Sequence, residues 1–121
     1  MLAEKKPKNN RMIAFIRGKI TARGDGFVVL ETAGGVGYGV FVSKLKSVEY
    51  RIGQTAAFHT FLKVSGSSLD LYGFEEQEEK VFFELLMTVS GVGPKSALNI
   101  LSLGHRVDIE NAIARGDVAY L

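Results

Sequence analysis

The chain has 121 residues, 46% of them hydrophobic and 23% charged, with a formal net charge of +2 and no cysteine. That is enough apolar material for one ordinary domain or two very small ones, and too much for a disordered chain. Disulfides and thiolate metal sites are excluded, and two isolated histidines, His59 and His105, do not make a zinc site.

The first eleven residues, MLAEKKPKNNR, carry Lys5, Lys6, Lys8 and Arg11 against Glu4. Of 15 basic and 13 acidic residues in all, that leaves 11 basic and 12 acidic from Met12 onward, so the body of the chain is not basic. Any DNA affinity has to come from a few placed groups, a local patch or repetition in an oligomer, not from a global field. The opening residues also lack the apolar core of a secretory signal, and no run approaches the roughly 18 apolar residues of a membrane helix. A cytoplasmic protein with no membrane partner is expected. Residues 1–11 are read as a disordered extension or expression remnant, outside the fold.

From residue 12 to 74 the signals are those of short strands. MIAFIRGKITAR alternates loosely, Gly24, Asp25 and Gly26 have turn chemistry, and FVVLET is β-branched and aromatic. Ala33, Gly34 and Gly35 form a second turn into VGYGVFV, where Gly37 and Gly39 suggest a bulge or tight bending. Ser43 suits the cap of a short helix, KLKSVEY, and TAAFHTFLKV and SSLDLYGF follow, joined at Ser65 and Gly66. Five strands with a short helix between the third and fourth predict a small closed barrel of the OB type, with an SH3-like barrel as the alternative.

From residue 75 to 121 the period changes from two to about 3.6, which marks a second, all-α unit and makes the fold α+β. Glu75, Glu76, Glu78 and Glu79 are placed in a first helical turn, where carboxylates complement the positive helix end. Val81, Leu85 and Val89 form one i, i+4 row, and Phe82 with Leu86 and Phe83 with Met87 form two more. A helix apolar around so much of its girth needs cover from its own barrel and from another subunit, so Val81, Phe82, Phe83, Leu85, Leu86 and Val89 are candidate interface residues. A helix from Pro94 to about Leu103 is stopped by Gly104, and another from about Asp108 to Arg115 by Gly116. Asp117 then caps a further turn that breaks off at Leu121.

Between the first two helices lies VSGVGPKSALNIL, residues 89–101. A helix ending near Ser90 and another starting at Pro94 leave a hairpin of three or four residues, where glycine supplies positive φ and proline suits the first helical turn. Amides around Gly93, Lys95 and Ser96 then point out of a positive helix end without internal partners, which is the geometry of an anion site. A tight helix turn with a solvated lysine fits the same residues, and composition alone does not choose.

The stretch from Leu71 to Leu101, with MIAFIRGKI at 12–20, GGVGYGV at 34–40 and GDVAYL at 116–121 in the same order, resembles the RuvA family of Holliday-junction-recognising subunits. The resemblance implies an OB-type barrel, a helical domain that binds DNA backbones without reading sequence, and a homotetramer, singly or as two tetramers sandwiching a four-way junction. It implies a role in branch migration, homologous recombination, DNA repair and the SOS response, with motor activity in the partner RuvB and none here. It also puts Gly91, Val92, Gly93, Lys95 and Ser96 on the phosphate-binding hairpin. Arg17, Lys19, Lys44, Lys46, Lys63 and Arg106 are further basic candidates.

The family pattern has a second hairpin after the residues matching GDVAYL, and a C-terminal domain that engages the motor. This sequence ends before both, so half of the duplex clamp and no motor coupling are expected of it. The pattern also has adjacent acids at the last barrel hairpin, forming a pin that repels phosphate; here the turn reads Ser65, Gly66, Ser67 and Ser68, with Asp70 the nearest acid. The acidic pin is therefore not expected to carry over.

The other readings are plainer. The Glu75 to Glu79 cluster is read as a solvated first turn with no converging basic partner rather than a metal site, and His59 and His105 as surface or packing residues. No cofactor, metal or catalytic residue is expected. Phe27, Tyr38, Phe41, Phe58, Phe61 and Tyr72 are assigned to the core, with stacking of single-stranded bases, in a module that binds single-stranded or duplex DNA non-specifically, as an alternative function. An assembly-only remnant is a third reading.

Overall fold

The computed structural model of the chain describes residues 13–104 and 106–114. The extension expected at 1–11, His105, the helix stop at Gly116 and the cap at Asp117 lie outside the described residues.

Five strands follow one another: β1 (Phe15–Gly24), β2 (Phe27–Glu31), β3 (Gly37–Phe41), β4 (Thr55–Val64) and β5 (Leu69–Phe74). They close into a barrel in the order β1-β2-β3-β5-β4, with β3 and β5 parallel and every other pair antiparallel. A short helix, α1 (Lys44–Ser47), sits between β3 and β4. This is the OB-type arrangement, not the SH3-like alternative. Ser43 caps α1 as expected, its side chain accepting from the Lys46 amide.

β1 is the strand that closes the barrel. Its first half pairs with β4, from Phe15 opposite His59 to Lys19 opposite Thr55, and its second half with β2. The change of partner is accompanied by a register shift between Ile20 and Ala22, and a bulge bends a strand so that it can serve two neighbours. The bending expected at Gly37 and Gly39 is not a bulge: β3 pairs with β2 in unbroken register, with Gly37 opposite Glu31 and Gly39 opposite Val29.

Three helices follow: α2 (Gln77–Leu86), α3 (Pro94–Leu101) and α4 (Arg106–Ala114). All three differ at an end from the expected spans: α2 stops earlier, α3 ends before Leu103, and α4 begins before Asp108.

Two apolar clusters share β5. Ile16, Ile20, Val28, Leu30, Val40, Val42, Tyr50, Phe58, Leu62 and Leu71 fill the barrel. Tyr72, Phe74, Phe82, Phe83, Leu86, Ala97, Leu98, Leu101 and Ile109 pack between barrel and helices. Phe83 is fully buried in the second cluster, where α2 meets the barrel, with ring centroids 4.7 Å from Phe74, 5.5 Å from Tyr72 and 5.6 Å from Phe61. Gly73 lets β5 carry this double duty, since a Cβ there would lie 2.5 Å from Val40 Cγ1 and 3.1 Å from the Phe58 ring.

Candidate nucleic-acid interface

The hairpin is longer than its sequence suggests. α2 ends at Leu86, so the connection to α3 runs from Met87 to Gly93 rather than over three or four residues. Thr88 explains the early stop: its hydroxyl donates to the Leu85 carbonyl at 2.6 Å and its amide to the same carbonyl at 3.0 Å. A hydroxyl that takes up a helix carbonyl competes with the i to i−4 ladder. The Val89 amide then bonds to the Leu86 carbonyl and the Val92 amide to the Val89 carbonyl, both at 3.1 Å, so the chain leaves the helix in tight turns. Gly91 has φ of 84°, a conformation that favours glycine. Gly93, at φ −94° and ψ −176°, is extended and caps α3, with Pro94 in the first turn.

The first backbone hydrogen bond of α3 runs from the Ala97 amide to the Gly93 carbonyl at 2.9 Å. Among the described residues no acceptor takes the amides of Gly93, Lys95 or Ser96, and all three residues are exposed. Nothing would lie within 4 Å of a Cβ at Gly91 or Gly93, so a ligand atom has room to reach the backbone. Unpaired N–H groups at a positive helix end, open to solvent and beside a lysine, are the donors that an anion site requires. Val92, half-buried, packs inward against the helical core and contributes backbone, not a side chain.

The basic candidates separate. Lys95 is exposed, its ammonium 6.0 Å from the Phe41 ring centroid, and Phe41 packs on Tyr72 at 5.4 Å. Lys44 lines the same cleft as Lys95, a space of about 280 Å³ between barrel and α3. Arg17 and Lys19, two residues apart on β1, are exposed, with the Arg17 guanidinium 5.4 Å from the Phe15 ring centroid; Lys63 is exposed on β4 opposite Asp70. Lys46 is committed elsewhere, at 3.3 Å from Glu75 and 3.9 Å from Glu49. The side chain of Arg106 lies outside the described residues.

The expectation that no basic partner converges on the acidic cluster is corrected by the same ion pair. Glu75 precedes α2 rather than lying in its first turn; it accepts a 2.6 Å hydrogen bond from the Tyr50 hydroxyl while pairing with Lys46. Glu79 accepts from the Glu76 amide at 3.3 Å, closing the helix start. Burial works to lower the Lys46 pKa, but the charge and hydrogen bond of Glu75, with Glu49 and Glu79, outweigh it and hold the ammonium above its ordinary value. Burial, with help from Glu76 and Glu75, pushes the half-buried Glu79 carboxyl up despite the opposing Glu76 amide and Lys46. The Tyr50 phenol is likewise raised, by burial first and then by Glu75. Such a network ties barrel to helix start, and the spacing of Lys46 and Glu75 in sequence gives no sign of it.

At the tip of the β4–β5 hairpin Ser65, Gly66, Ser67 and Ser68 are all exposed. The Ser65 amide donates to the Ser68 carbonyl at 2.9 Å and the two hydroxyls meet at 2.9 Å, while Ser68 Oγ donates to Asp70 at 3.3 Å. The turn therefore presents hydroxyls, with its nearest carboxylate already engaged.

Of the candidate interface residues, Phe82, Phe83 and Leu86 are corrected: they are buried inside this chain, against β4, β5 and α3. Val81, Leu85 and Val89 form an uncovered row, each more than half exposed. Among the aromatics Phe58 and Tyr72 are buried, Tyr38, Phe41 and Phe61 half-buried, and Phe27 exposed. His59 packs edge-on against Phe15 at 5.4 Å.

The sequence profile described as the RuvA N terminal domain matches residues 12–73. Curated relatives named "Holliday junction branch migration complex subunit RuvA" match over 91% of this chain: one from a Roseiflexus species at 44% identity, one from Chloroflexus aggregans at 41% and one from Salinispora tropica at 44%. The chain spans about half the length of these relatives, 56%, 56% and 54% respectively. On the barrel topology, the profile match and this degree of identity, the chain belongs to the RuvA family.

Proposed function

We propose that this chain is a Holliday junction DNA-binding scaffold for branch migration, holding duplex arms through sequence-independent phosphate contacts and carrying out no catalysis itself. The observation that carries this reading is the exposed start of α3, where unpaired amides of Gly93, Lys95 and Ser96 sit beside the Lys95 ammonium. A phosphate oxygen accepts from amides without regard to base sequence, which suits a protein that must follow a moving junction. The Gly91 turn and Val92 set the approach of the backbone, and the Ser96 hydroxyl supplies one more donor.

Self-assembly is part of the same proposal. The uncovered row of Val81, Leu85 and Val89 is the surface for self-association into a tetramer, and repetition of one hairpin around a fourfold plate gives a weakly charged chain the multiple contacts it needs. The serine turn at 65–68 would lie at the plate's centre, donating hydroxyls to phosphate where an acidic pin repels it. Motor activity belongs to the partner RuvB in this reading.

A titration of a labelled four-way junction against plain duplex and single strand, at two salt concentrations, tests it. The junction should bind tightest, and Lys95→Glu should cost about tenfold or more and flatten the log-log salt slope by about 0.9 for each phosphate that is no longer neutralised. Unchanged junction binding in the variant overturns the hairpin assignment, and preference for single strand moves the function to the barrel surface.

A further inference from the structure

The cleft beside Lys95 has a second cation whose partner is unusual. Lys44 opens α1, and its side chain meets Asp25 of the β1–β2 turn at 3.7 Å, with both side chains well exposed, 62% and 77%. Asp25, Lys44, Phe41, Lys95, Asn99 and Ser102 all line the one cleft of about 280 Å³. The barrel and α3 are fastened together here. The Lys44 amide donates to Ser102 Oγ at 3.0 Å, and Ser102 Oγ donates in turn to the Leu98 carbonyl at 3.2 Å.

Asp25 is also held in place. The buried Ser47 hydroxyl accepts from the Gly26 amide at 3.1 Å, and the Val42 amide donates to the Gly26 carbonyl at 2.9 Å, so the turn is pinned to the segment that carries Lys44. Gly26 turns the chain at φ 85°, a conformation that favours glycine, with the Lys44 stem packed over it. Two lysines on different elements thus flank one opening with a carboxylate between strand turn and cleft. An exposed ion pair of this length is worth little, so its cation exchanges readily to a stronger anion.

Building on the phosphate-binding reading of the hairpin, we propose that Lys44 is a second phosphate contact on the same DNA strand, and that Asp25 competes for it and holds affinity down. When DNA is absent, Asp25 occupies the Lys44 ammonium. When a backbone phosphate enters the cleft next to the one at α3, Lys44 turns to it and the Asp25 carboxylate is left facing the strand. Asn99 offers an amide to the same track. The barrel then shares directly in DNA binding, and the fastening through Ser102 fixes its cation relative to the hairpin.

The test is a junction titration at two salt concentrations with the full chain and Lys44→Gln, Asp25→Asn, Asp25→Ser, Lys95→Gln and Glu31→Gln, each checked for its folded circular-dichroism spectrum. Lys44→Gln should weaken binding and reduce the magnitude of the salt slope by about 0.9, the value for one neutralised phosphate. Asp25→Asn and Asp25→Ser should each tighten binding by about two- to fivefold, the range of an exposed charge pair. Glu31→Gln makes the same change in net charge at the exposed end of β2, outside the lining of the cleft, and should leave affinity near the starting value. If Lys95→Gln weakens binding while Lys44→Gln does not, this inference falls and the hairpin reading stands. If Lys95→Gln changes nothing, both fall. If Glu31→Gln tightens binding as much as Asp25→Asn, the effect is one of overall charge and the competition by Asp25 is overturned.

Discussion

The barrel and the helical hairpin handle their polar backbone in opposite ways. Around the barrel each strand has two neighbours, so the sheet has no free edge, and buried side-chain groups such as Thr60 and Ser47 find carbonyl acceptors. The hairpin leaves amides at the start of α3 without acceptors and a row of apolar side chains on α2 without cover. Consecutive stretches of one chain thus satisfy their bonding capacity internally in the first case and leave it open in the second. Unmet bonding capacity is costly when buried but cheap at a surface, and the proposed function uses it there to accommodate a partner.

That contrast can be broken first at its joint. Phe83→Ala should be the most damaging change, at about 3–5 kcal/mol, because the ring is fully buried and lies where barrel and helices meet. Chemical denaturation followed by far-ultraviolet circular dichroism would measure it. Gly73→Ala comes next, at about 1–3 kcal/mol from overpacking against Val40 and Phe58, read in the same way. Tyr50→Phe removes one hydrogen bond to a carboxylate and should cost about 1.5 kcal/mol at neutral pH, without weakening junction binding.

Glu79→Gln gives the smallest effect and the most informative sign. The folded state raises the Glu79 pKa, so it binds a proton more tightly than the unfolded chain and loses stability as pH rises from the ordinary carboxylate range through the raised value. The glutamine variant lacks that loss and keeps an oxygen for the Glu76 amide. It should be slightly more stable at pH 7, by about 0.5 kcal/mol or less, and its melting temperature should fall less across that window.

Much of this is legible in the residues. Alternation and glycine-rich turns place five strands, Ser43 announces its cap, and Pro94 marks the first turn of α3, because each is a local property of a few neighbours. The bulge in β1 is not legible, because it follows from one strand serving two partners, which no window of residues reveals. Thr88 sits at a helical position by periodicity, yet its hydroxyl ends α2 at Leu86; that is a local signal, and the apolar rows on either side of it mask it. Asp25 carries turn chemistry on its face, whereas its place beside Lys44 depends on the barrel closing. Lys46 looks like one more surface cation until Glu75, far along the chain, is brought to it.

β5 has a practical consequence for anyone wishing to dissect the molecule. Leu71 faces one interior while Tyr72 and Phe74 supply the floor of the other, so a cut after the last strand separates sequence but not structure. A fragment made of the helices alone would lack the aromatic bed on which Phe83 rests, and a fragment made of the strands alone would offer that bed to any sticky surface in the tube. The two halves should therefore melt as one transition and be cloned as one piece.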